Sequence, residues 1–318
     1  MSSICPTVWI VSPCYNEEEV LRITAPRMIE KINSLQEQRV ISEFSSVLLV
    51  DDGSSDNTWR IIEELCESDP RFKGLKLAHN RGHQNALYAG LIEAKDYCDY
   101  SFSIDADLQD DVNVLDKMLE EAQAGAEIIF GVREARSTDT FFKRNTAKGF
   151  YSVMQHLGAD TIPNHADCRL MSKRAMEALS EYEERNLFLR GLAVDLGFKT
   201  AIATYDRSKR EAGESKYPLK KMLAFAWQGI TSFSTKPLKM ITRLGFSVFI
   251  IGIALLIYTL VQFFRGVTVE GWASLSVSIW IIGGLVMLSI GVLGEYIGKI
   301  YDEVKRRPRY FPEKTTWK

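Results

Sequence analysis

Short apolar runs alternate with longer mixed segments between Thr7 and about Gly131, and this alternation limits the fold more than any other feature of the chain. Apolar runs separated by segments long enough for a helix are typical of βαβ units and a mostly parallel sheet. The pattern therefore predicts an α/β domain. Its strands are expected at 8–12, 47–50, 75–78, 100–104 and 127–130, and its helices at 17–35, 58–67, 84–98 and 112–124.

Two acids, Asp105 and Asp107, follow the fourth predicted strand one residue apart. The strand delivers them to the carboxyl edge of the sheet, where open α/β sheets bind their ligands. Neighbouring carboxylates repel each other unless a cation joins them, and oxygen ligands of this kind suit Mg²⁺ or Mn²⁺. The same acids are compatible with an ordinary loop that caps the next helix, so the pair by itself leaves both interpretations open.

Three further polar loops follow the first three predicted strands. The first, 13–18, places acids at a helix start, where they complement the helix dipole. The second, 51–58, holds eight turn formers or acids in a row, which is more than a turn needs and indicates recognition of base or ribose donors. The third, 80–86, adds Arg81 and a glycine, and its His83 is interpreted as a helix-start or structural residue.

These loops, in this order on successive βα units, resemble those of the family 2 glycosyltransferases of GT-A fold. The resemblance is to the polyprenyl-phosphate branch, which includes dolichol-phosphate mannose synthase and the bactoprenol glucosyltransferases, and it covers nearly the whole chain. It implies a Rossmann-like, mostly parallel sheet whose early loops hold the nucleotide. The implied nucleotide-binding residues are Pro13, Tyr15, Asn16, Glu17, Asp51, Asp52, Arg81, Asp105 and Ala106. The implied ligands of Mg²⁺ or Mn²⁺ are Asp105, Asp107 and Gln109.

The segment 164–172 resembles the acceptor-side motif of that branch, with Asp167 retained, Ala166 in place of a glycine and Cys168 in place of an aromatic residue. Basic residues follow the fifth predicted strand and recur at 206–217, where they are either solvated charges or a loop that closes over a diphosphate. The implied phosphate-binding residues are Arg133, Arg136, Arg207, Arg210, Ser215 and Lys216. The implied catalytic residues are Asp105, Asp107, Asp167, Arg210 and Lys216.

Two stretches, 244–264 and 273–294, each run for about 21 residues without a charge, long enough to cross a bilayer core of about 30 Å. Apolar residues before them recur at helical spacing beside lysines, which predicts an interfacial amphipathic helix at 216–240. The predicted organisation is a cytoplasmic GT-A domain at 1–215, that helix, a two-helix transmembrane hairpin at 241–301 and a basic cytoplasmic tail at 302–318. Basic residues flank the hairpin on the side of both termini, so both are expected in the cytoplasm.

Composition narrows the expected partners. The formal net charge is -2, which gives no general attraction to nucleic acid. Five scattered cysteines without a CxxC pair indicate neither a zinc site nor a disulfide framework. No signal peptide is visible, so the first domain is expected to stay in the cytoplasm. With the resemblance and the two apolar stretches, a two-span protein of a bacterial inner or plasma membrane is expected. Glycines in the second apolar stretch offer small faces for close helix packing, which favours a homo-oligomer in the bilayer.

The resemblance implies inverting transfer of a hexose from a nucleotide sugar to a polyprenyl phosphate at the cytoplasmic leaflet. UDP-glucose is the favoured donor, and GDP-mannose or another UDP-sugar is the alternative. A phosphate monoester is already ionised near neutral pH, so Asp167 is expected to position groups rather than act as a general base. Two other classes stay open: a processive polysaccharide synthase, although its Gln-x-x-Arg-Trp motif is absent from the sequence, and a non-catalytic membrane scaffold.

Overall fold

The computed structural model describes residues 5–133, 165–185, 187–205, 234–266 and 271–317. The chain divides into two compact units. The first, called the sheet unit, contains the N-terminal part of the chain and takes up Arg307–Lys318. The second, called the helical unit, contains Lys220–Arg306. Most of the predicted interfacial helix lies outside the described residues, as do the predicted site residues Arg136, Arg207, Arg210, Ser215 and Lys216.

Strands and helices alternate over the first half of the chain, as the sequence pattern predicts. The strands are β1 (Val8–Cys14), β2 (Ser46–Asp51), β3 (Phe72–Leu77), β4 (Tyr100–Ser103), β5 (Ile128–Arg133), β6 (His165–Ser172), β7 (Thr200–Tyr205) and β8 (Pro312–Thr315). The helices are α1 (Glu18–Glu37), α2 (Thr58–Ser68), α3 (His83–Ala94), α4 (Val114–Gln123), α5 (Lys173–Ser180), α6 (Leu189–Asp195), α7 (Lys236–Phe264) and α8 (Trp272–Val304). The five strands and four helices predicted up to residue 131 are confirmed, with ends that differ by a few residues.

The strands form one sheet in the order β7-β5-β6-β4-β1-β2-β3-β8. β1 pairs in parallel with β2 and β4, β2 pairs in parallel with β3, and β5 with β7. β6 runs antiparallel between β4 and β5, and β8 runs antiparallel to β3. The prediction of an α/β fold with a mostly parallel sheet is confirmed, and the two antiparallel strands are additions that the sequence pattern did not reveal.

The centre of the sheet is covered on both faces. Every residue of β1 and β2 is buried, which is why these strands read as continuous apolar runs rather than as alternating ones. α1 packs a stripe of buried residues, Leu21 to Leu35, on this core. Lys31 lies in that stripe and pairs with Asp116 of α4 at 2.6 Å. The packing fixes the carboxyl ends of the central strands side by side.

β8 adds an edge strand to the sheet from the C-terminal part of the chain. Thr315 lies opposite Leu75 of β3, and the Gly74 N–H donates to Thr316 Oγ1 at 2.9 Å. The Trp317 ring packs edge-on against Trp9, with ring centroids 6.1 Å apart. The sequence predicts only a basic tail at 302–318, because a short polar strand at an exposed edge has no apolar period to reveal it.

The helical unit contains two long apolar helices, α7 of 29 residues and α8 of 33 residues. By length and composition, Lys236–Leu255 and Ile281–Val304 are each long and apolar enough to cross a membrane. Within the unit, the Tyr296 hydroxyl donates to the Ser234 carbonyl at 2.6 Å. Both helices extend past the predicted spans, so several of the flanking basic residues lie on helix rather than in loops.

Gly90 of α3 offers a test of how closely this helix approaches the sheet. A Cβ built on Gly90 would lie 2.4 Å from Val11 Cγ1 and 2.8 Å from Val50 Cγ2. We expect Gly90→Ala to lower the free energy of unfolding by about 1–3 kcal/mol, because overpacking forces the helix and strands apart. Thermal denaturation in detergent measures the change. Gly298→Ala, where a Cβ meets no described atom within 4 Å, is the control, and equal melting temperatures for both variants would contradict the close approach.

Candidate active site

The loops that the sequence singles out leave the sheet at neighbouring places. β1 and β2 end together, with Cys14 opposite Asp51, and β4 lies on the other side of β1. The segments after these strands therefore emerge on the carboxyl side, where α/β sheets bind ligands. Pro13 is buried near the end of β1, and Tyr15 beside it is 47% exposed. The predicted nucleotide-binding loops are thus brought to one edge.

The first loop and the 51–58 loop are tied together by their own polar groups. Asn16, with a left-handed φ of 53°, donates its N–H to Ser54 Oγ at 3.0 Å, and its Oδ1 accepts from the Ser55 N–H at 2.9 Å. The Glu17 N–H donates to Thr58 Oγ1 at 2.9 Å. Several turn formers in these loops therefore have a structural use, in addition to the predicted nucleotide binding.

Asp51 and Asp52 are both buried at the end of β2, but they have different partners. Asp52 accepts from the N–H of Arg81 at 2.7 Å and from that of Gly82 at 2.8 Å, so it holds the turn before α3. Asp51 Oδ1 accepts from the Ser54 N–H at 3.2 Å, whereas its buried Oδ2 has no hydrogen-bond partner in the described part of the chain. Burial raises the pKa of both carboxyls. Asp51 therefore retains acceptor capacity for a ligand.

The 51–58 loop and the turn before α3 approach each other closely. Gly53 has a φ of 66°, and a Cβ there would lie 2.6 Å from the carbonyl carbon of His79, so the position requires glycine. Arg81 Nε is buried, and no hydrogen-bond partner for it lies among the described residues. A buried donor on Arg81 and a buried acceptor on Asp51 thus lie in adjoining loops. A base or ribose needs polar groups of these two kinds to bind.

The loop after β4 carries the predicted metal ligands Asp105, Asp107 and Gln109. Leu108 between them has a φ of 44°, a conformation that is uncommon outside glycine and is often found at functional sites. The Gln109 N–H donates to Asp107 Oδ1 at 3.2 Å, and both Gln109 and Ala106 are buried. The acids therefore lie on a constrained loop rather than on a freely exposed helix start.

Asp105 lies in an excess of negative charge. Its Oδ1 is buried without a hydrogen-bond partner among the described residues, and His83 Nε2 lies 3.5 Å from that oxygen. Burial and the carboxylates of Asp167, Asp110 and Asp107 raise the pKa of Asp105 from 3.8 to about 6, although the charge of His83 opposes them. An oxygen in this state fits a divalent cation.

The donor set at this loop suits a cation that keeps other ligands of its own. No group of three or more His, Cys, Asp or Glu side chains placed to hold a metal occurs in the described ranges. Two carboxylates and an amide would therefore leave coordination positions for water and substrate oxygens, as is usual for Mg²⁺. The residues present fit Mg²⁺ or Mn²⁺ bound together with a phosphate substrate.

Asp167 of β6 is the centre of an ion cluster beside Asp105. Arg169 Nη2 donates to Asp167 Oδ1 at 3.0 Å. Arg190 donates from Nε to Oδ1 at 3.0 Å and from Nη2 to Oδ2 at 2.9 Å. His83 Nε2 lies 3.5 Å from Asp167 Oδ2 and 3.5 Å from Asp105 Oδ1, so the imidazole lies between the two acids.

The charges of this cluster keep Asp167 ionised. Burial alone would raise its pKa, but Arg190, His83 and Arg169 outweigh burial and hold the pKa of Asp167 well below 3.8. Burial alone would lower the pKa of His83, but its contacts with Asp167 and Asp105 raise it from 6.5 to about 9. Arg169 is only 1% exposed, whereas Arg190 is 30% exposed. Positive charge therefore reaches the surface of the site through Arg190.

Arg133, predicted as a phosphate ligand, lies at the end of β5 in a two-point contact with Asp110. Its Nε donates to Asp110 Oδ1 at 2.8 Å and its Nη2 to Oδ2 at 3.0 Å, and Asp110 is fully buried. A phosphate contact would have to use other donors of the same guanidinium. Cys168 is also fully buried, so this departure from the family motif lies in the core rather than on the wall of the site.

His83 and Arg190 were not among the predicted site residues. His83 had a usable signal, because it is the first residue of α3 and directly follows a loop at the ligand edge. Arg190 had a weaker one, a single arginine within the mostly apolar run 187–194. Neither signal shows that α3 and α6 converge on Asp167, because that contact depends on the path of β6 between β4 and β5.

An open α/β sheet with acids and arginines at its carboxyl edge is the layout of a nucleotide-binding enzyme domain. Residues 9–180 match the family model Glycosyl transferase family 2, and residues 236–300 match the model GtrB C-terminal hairpin. The chain therefore belongs to the family 2 glycosyltransferases.

Two relatives align over nearly the whole chain. The uncharacterized glycosyltransferase YkoT of Bacillus subtilis is 52% identical over 96% of this chain and 90% of that protein. The SfII prophage-derived bactoprenol glucosyl transferase of Shigella flexneri is 40% identical over 96% of this chain and 97% of that protein. Among solved structures, the mannosyltransferase PcManGT from Pyrobaculum calidifontis aligns with a TM-score of 0.43 and 17% identity, over 83% of this chain and 84% of that one.

Replacing Asp167 tests the ion cluster independently of activity. We expect Asp167→Asn to lower the free energy of unfolding at pH 7.5 by about 3–5 kcal/mol, because it leaves buried arginine charge without its counter-ion. The pKa of Asp167 is lowered in the folded state, so its contribution is present above 3.8 and is lost as the pH falls through the folded-state value. Denaturant titration at pH 7.5 and near pH 3 measures this.

The exposed Asp96→Asn serves as the matched control for that titration, and its stability should follow the wild type at both pH values. If Asp167→Asn is as stable as Asp96→Asn at pH 7.5, the ion pairs of Asp167 do not contribute to the free energy of unfolding as predicted.

Proposed function

We propose that the protein transfers a hexose from a nucleotide sugar to a polyprenyl phosphate, with inversion at the anomeric carbon and with a divalent metal. Glucose from UDP-glucose is the favoured donor. The observation that carries this proposal is the 40% identity to a bactoprenol glucosyl transferase, which extends through the sheet unit and both apolar helices. The cluster around Asp105 and Asp167 supplies the chemistry that such a transfer needs.

The donor side of the site is assigned to the loops after β1, β2 and β4. Asp51 and Arg81 have buried polar atoms with no hydrogen-bond partner among the described residues, and they suit the nucleoside. Asp105, Asp107 and Gln109 would hold Mg²⁺ or Mn²⁺. The bound metal would neutralise charge on the leaving nucleoside diphosphate. The predicted phosphate ligands Arg136, Arg207, Arg210, Ser215 and Lys216 stay part of the proposal for that diphosphate.

The acceptor side is assigned to the neighbourhood of Asp167. A phosphate monoester has a second pKa of about 6, so its oxygen attacks without a dedicated base near neutral pH. Both carboxylate oxygens of Asp167 accept hydrogen bonds from arginine, which suits a positioning group and not a proton acceptor. Arg190, partly exposed beside Asp105, is well placed to attract the phosphate toward the donor. The predicted role of Asp167 as an orienting residue is retained.

Membrane attachment completes the proposal. The two apolar helices would form a transmembrane hairpin, with the sheet unit in the cytoplasm beside the leaflet that carries the lipid phosphate. Their match to the GtrB C-terminal hairpin supports this arrangement. Small faces at Gly283, Gly284 and Gly291 favour self-association of the hairpin. A bacterial inner membrane is the proposed location.

Other assignments make different predictions. A mannosyltransferase that uses GDP-mannose would share the fold and the metal loop, so only the donor distinguishes it. A processive polysaccharide synthase would yield a polymer instead of a single lipid-linked sugar. A non-catalytic scaffold has no use for an Asp105 oxygen that lacks a hydrogen-bond partner among the described residues, and the raised pKa of this acid beside Asp167 favours an enzyme.

Transfer can be measured as radiolabel from UDP-glucose that enters the organic phase when membranes containing the protein receive undecaprenyl phosphate. We expect Asp105→Asn and Asp107→Asn each to reduce the rate by about 100-fold or more, because the leaving diphosphate loses its charge stabilisation. EDTA should stop the reaction, and Mg²⁺ or Mn²⁺ should restore it. Asp96→Asn is the surface control. Unchanged turnover in the two loop variants would remove the metal-site assignment.

The donor and the stereochemistry are tested with a panel of UDP-glucose, GDP-mannose and other UDP-sugars. We expect UDP-glucose to give the highest kcat/KM, and the anomeric proton of the product to show the configuration opposite to that of the donor. NMR of the lipid-linked sugar reads this directly. Retention of configuration would contradict direct attack by the phosphate, and failure of every donor would contradict the proposed function.

A further inference from the structure

Arg309, which follows α8 in the chain and belongs to the sheet unit, contacts two other parts of that unit. Its guanidinium carbon lies 4.3 Å from the centroid of the Tyr88 ring on α3, in a cation–π contact. The same side chain donates from Nε to the Glu184 carbonyl at 2.8 Å and from Nη2 to the Tyr182 carbonyl. The neighbouring Tyr310 packs edge-on against Tyr88, with ring centroids 6.4 Å apart. Arg309 therefore joins α3 to the segment that precedes α6.

That segment, 182–189, is held at its other end by the same helix. Gln84 and Tyr88 are four residues apart on α3, so they lie on one face. Gln84 Oε1 accepts from the Leu189 N–H at 2.9 Å. One face of α3 thus holds the end of the segment directly through Gln84 and its start through Tyr88 and Arg309. Phe188 is 2% exposed, so the described parts of the segment, 182–185 and 187–189, are each held in place.

The segment leads straight into Arg190, and α3 begins at His83. Both of these residues contact Asp167, and the Leu189 carbonyl also accepts from Arg169 Nη1 at 3.0 Å. A shift of the 182–189 segment would therefore move Arg190 relative to Asp167. The segment reaches the site through Arg190 and the Leu189 carbonyl, so a shift would act first on the surroundings of Asp167.

We propose that Arg309 is a positioning residue that, with Tyr88, sets the place of Arg190 and so of the acceptor half of the site. The inference rests on the proposed function, because it assigns that half to the phosphate of a polyprenyl lipid. Through this contact, a residue beyond the C-terminal end of α8 influences how the lipid phosphate meets the donor.

The competing explanation is that the C-terminal residues only cover the open edge of β3, as edge strands need. That cover is provided farther along, by the β3–β8 pairing and by ion pairs between Lys314 and Glu63 at 2.5 Å and between Lys76 and Glu313 at 3.0 Å. None of these contacts reaches α3 or the 182–189 segment. Lys314 is therefore a matched control for Arg309, since both are basic residues of the C-terminal stretch Arg307–Lys318.

The first experiment compares Arg309→Ala, Arg309→Lys and Lys314→Ala in the full-length protein, with UDP-glucose and undecaprenyl phosphate as substrates. We expect Arg309→Ala to raise the KM for undecaprenyl phosphate by about 10-fold, while the KM for UDP-glucose changes less than about twofold. Arg309→Lys keeps the charge without the planar fork and should lie between. Lys314→Ala should match the wild type. An equal loss for both substrates in Arg309→Ala, or equal effects of Arg309→Ala and Lys314→Ala, would overturn the inference.

The second experiment does not depend on turnover. Hydrogen exchange in the full chain should show faster exchange at the Leu189 and Leu192 amides in Arg309→Ala and in Tyr88→Leu, with the β1 and β2 amides unchanged. Combining Arg309→Ala with Tyr88→Leu should give less than the sum of the two single effects, because both changes remove the contact between Arg309 and Tyr88. Wild-type exchange at these amides in both variants refutes the positioning role. If the wild-type protein transfers no sugar to any polyprenyl phosphate, the proposed function fails, while the exchange result still decides whether Arg309 holds the segment.

Discussion

The rest of the site depends on the ion pairs that the Asp167 carboxylate makes with Arg169 and Arg190. The carboxylate neutralises Arg169, which is almost fully enclosed, and it orients Arg190, which reaches the surface. Because His83 lies between Asp167 and Asp105, the positive groups of one half of the site balance part of the negative charge of the other. Asp105 keeps a raised pKa despite this balance, and its Oδ1 has no hydrogen-bond partner among the described residues. His83 thus links the two acids electrostatically.

Sequence patterning was sufficient for the central sheet because its strands are buried on both faces and carry unmistakable apolar runs. It was also sufficient for the order of the polar loops, since parallel strands bring their carboxyl ends together. The sequence pattern could not show that both carboxylate oxygens of Asp52 accept hydrogen bonds from the backbone N–H groups of Arg81 and Gly82. These hydrogen bonds depend on how closely two loops pack, which residue type and spacing do not specify. The predicted role of Asp52 in nucleotide binding therefore stays a prediction.

The strands and site residues that the sequence did not predict were missed for one reason. Their roles depend on contacts between distant parts of the chain, and local periodicity does not reveal such contacts. This holds for β6, β8, His83 and Arg190. β6 lies antiparallel between two strands of the parallel sheet, and this placement brings Asp167 beside the loop that carries Asp105. The apolar helices were the opposite case, because length and the absence of charge mark them without any tertiary information.

The edge strand β8 has a consequence for how the protein is made. The Gly74 N–H and the Thr316 hydroxyl that meet in the sheet are 242 residues apart in sequence, so the ribosome completes both apolar helices before it makes the last strand. Until then the β3 edge presents unpaired backbone groups. The last strand can pair only after the helices have left the ribosome, and a helical unit that folds slowly would delay the strand that covers this edge. Such a nascent chain would present an adhesive strand to its neighbours and be open to aggregation or proteolysis.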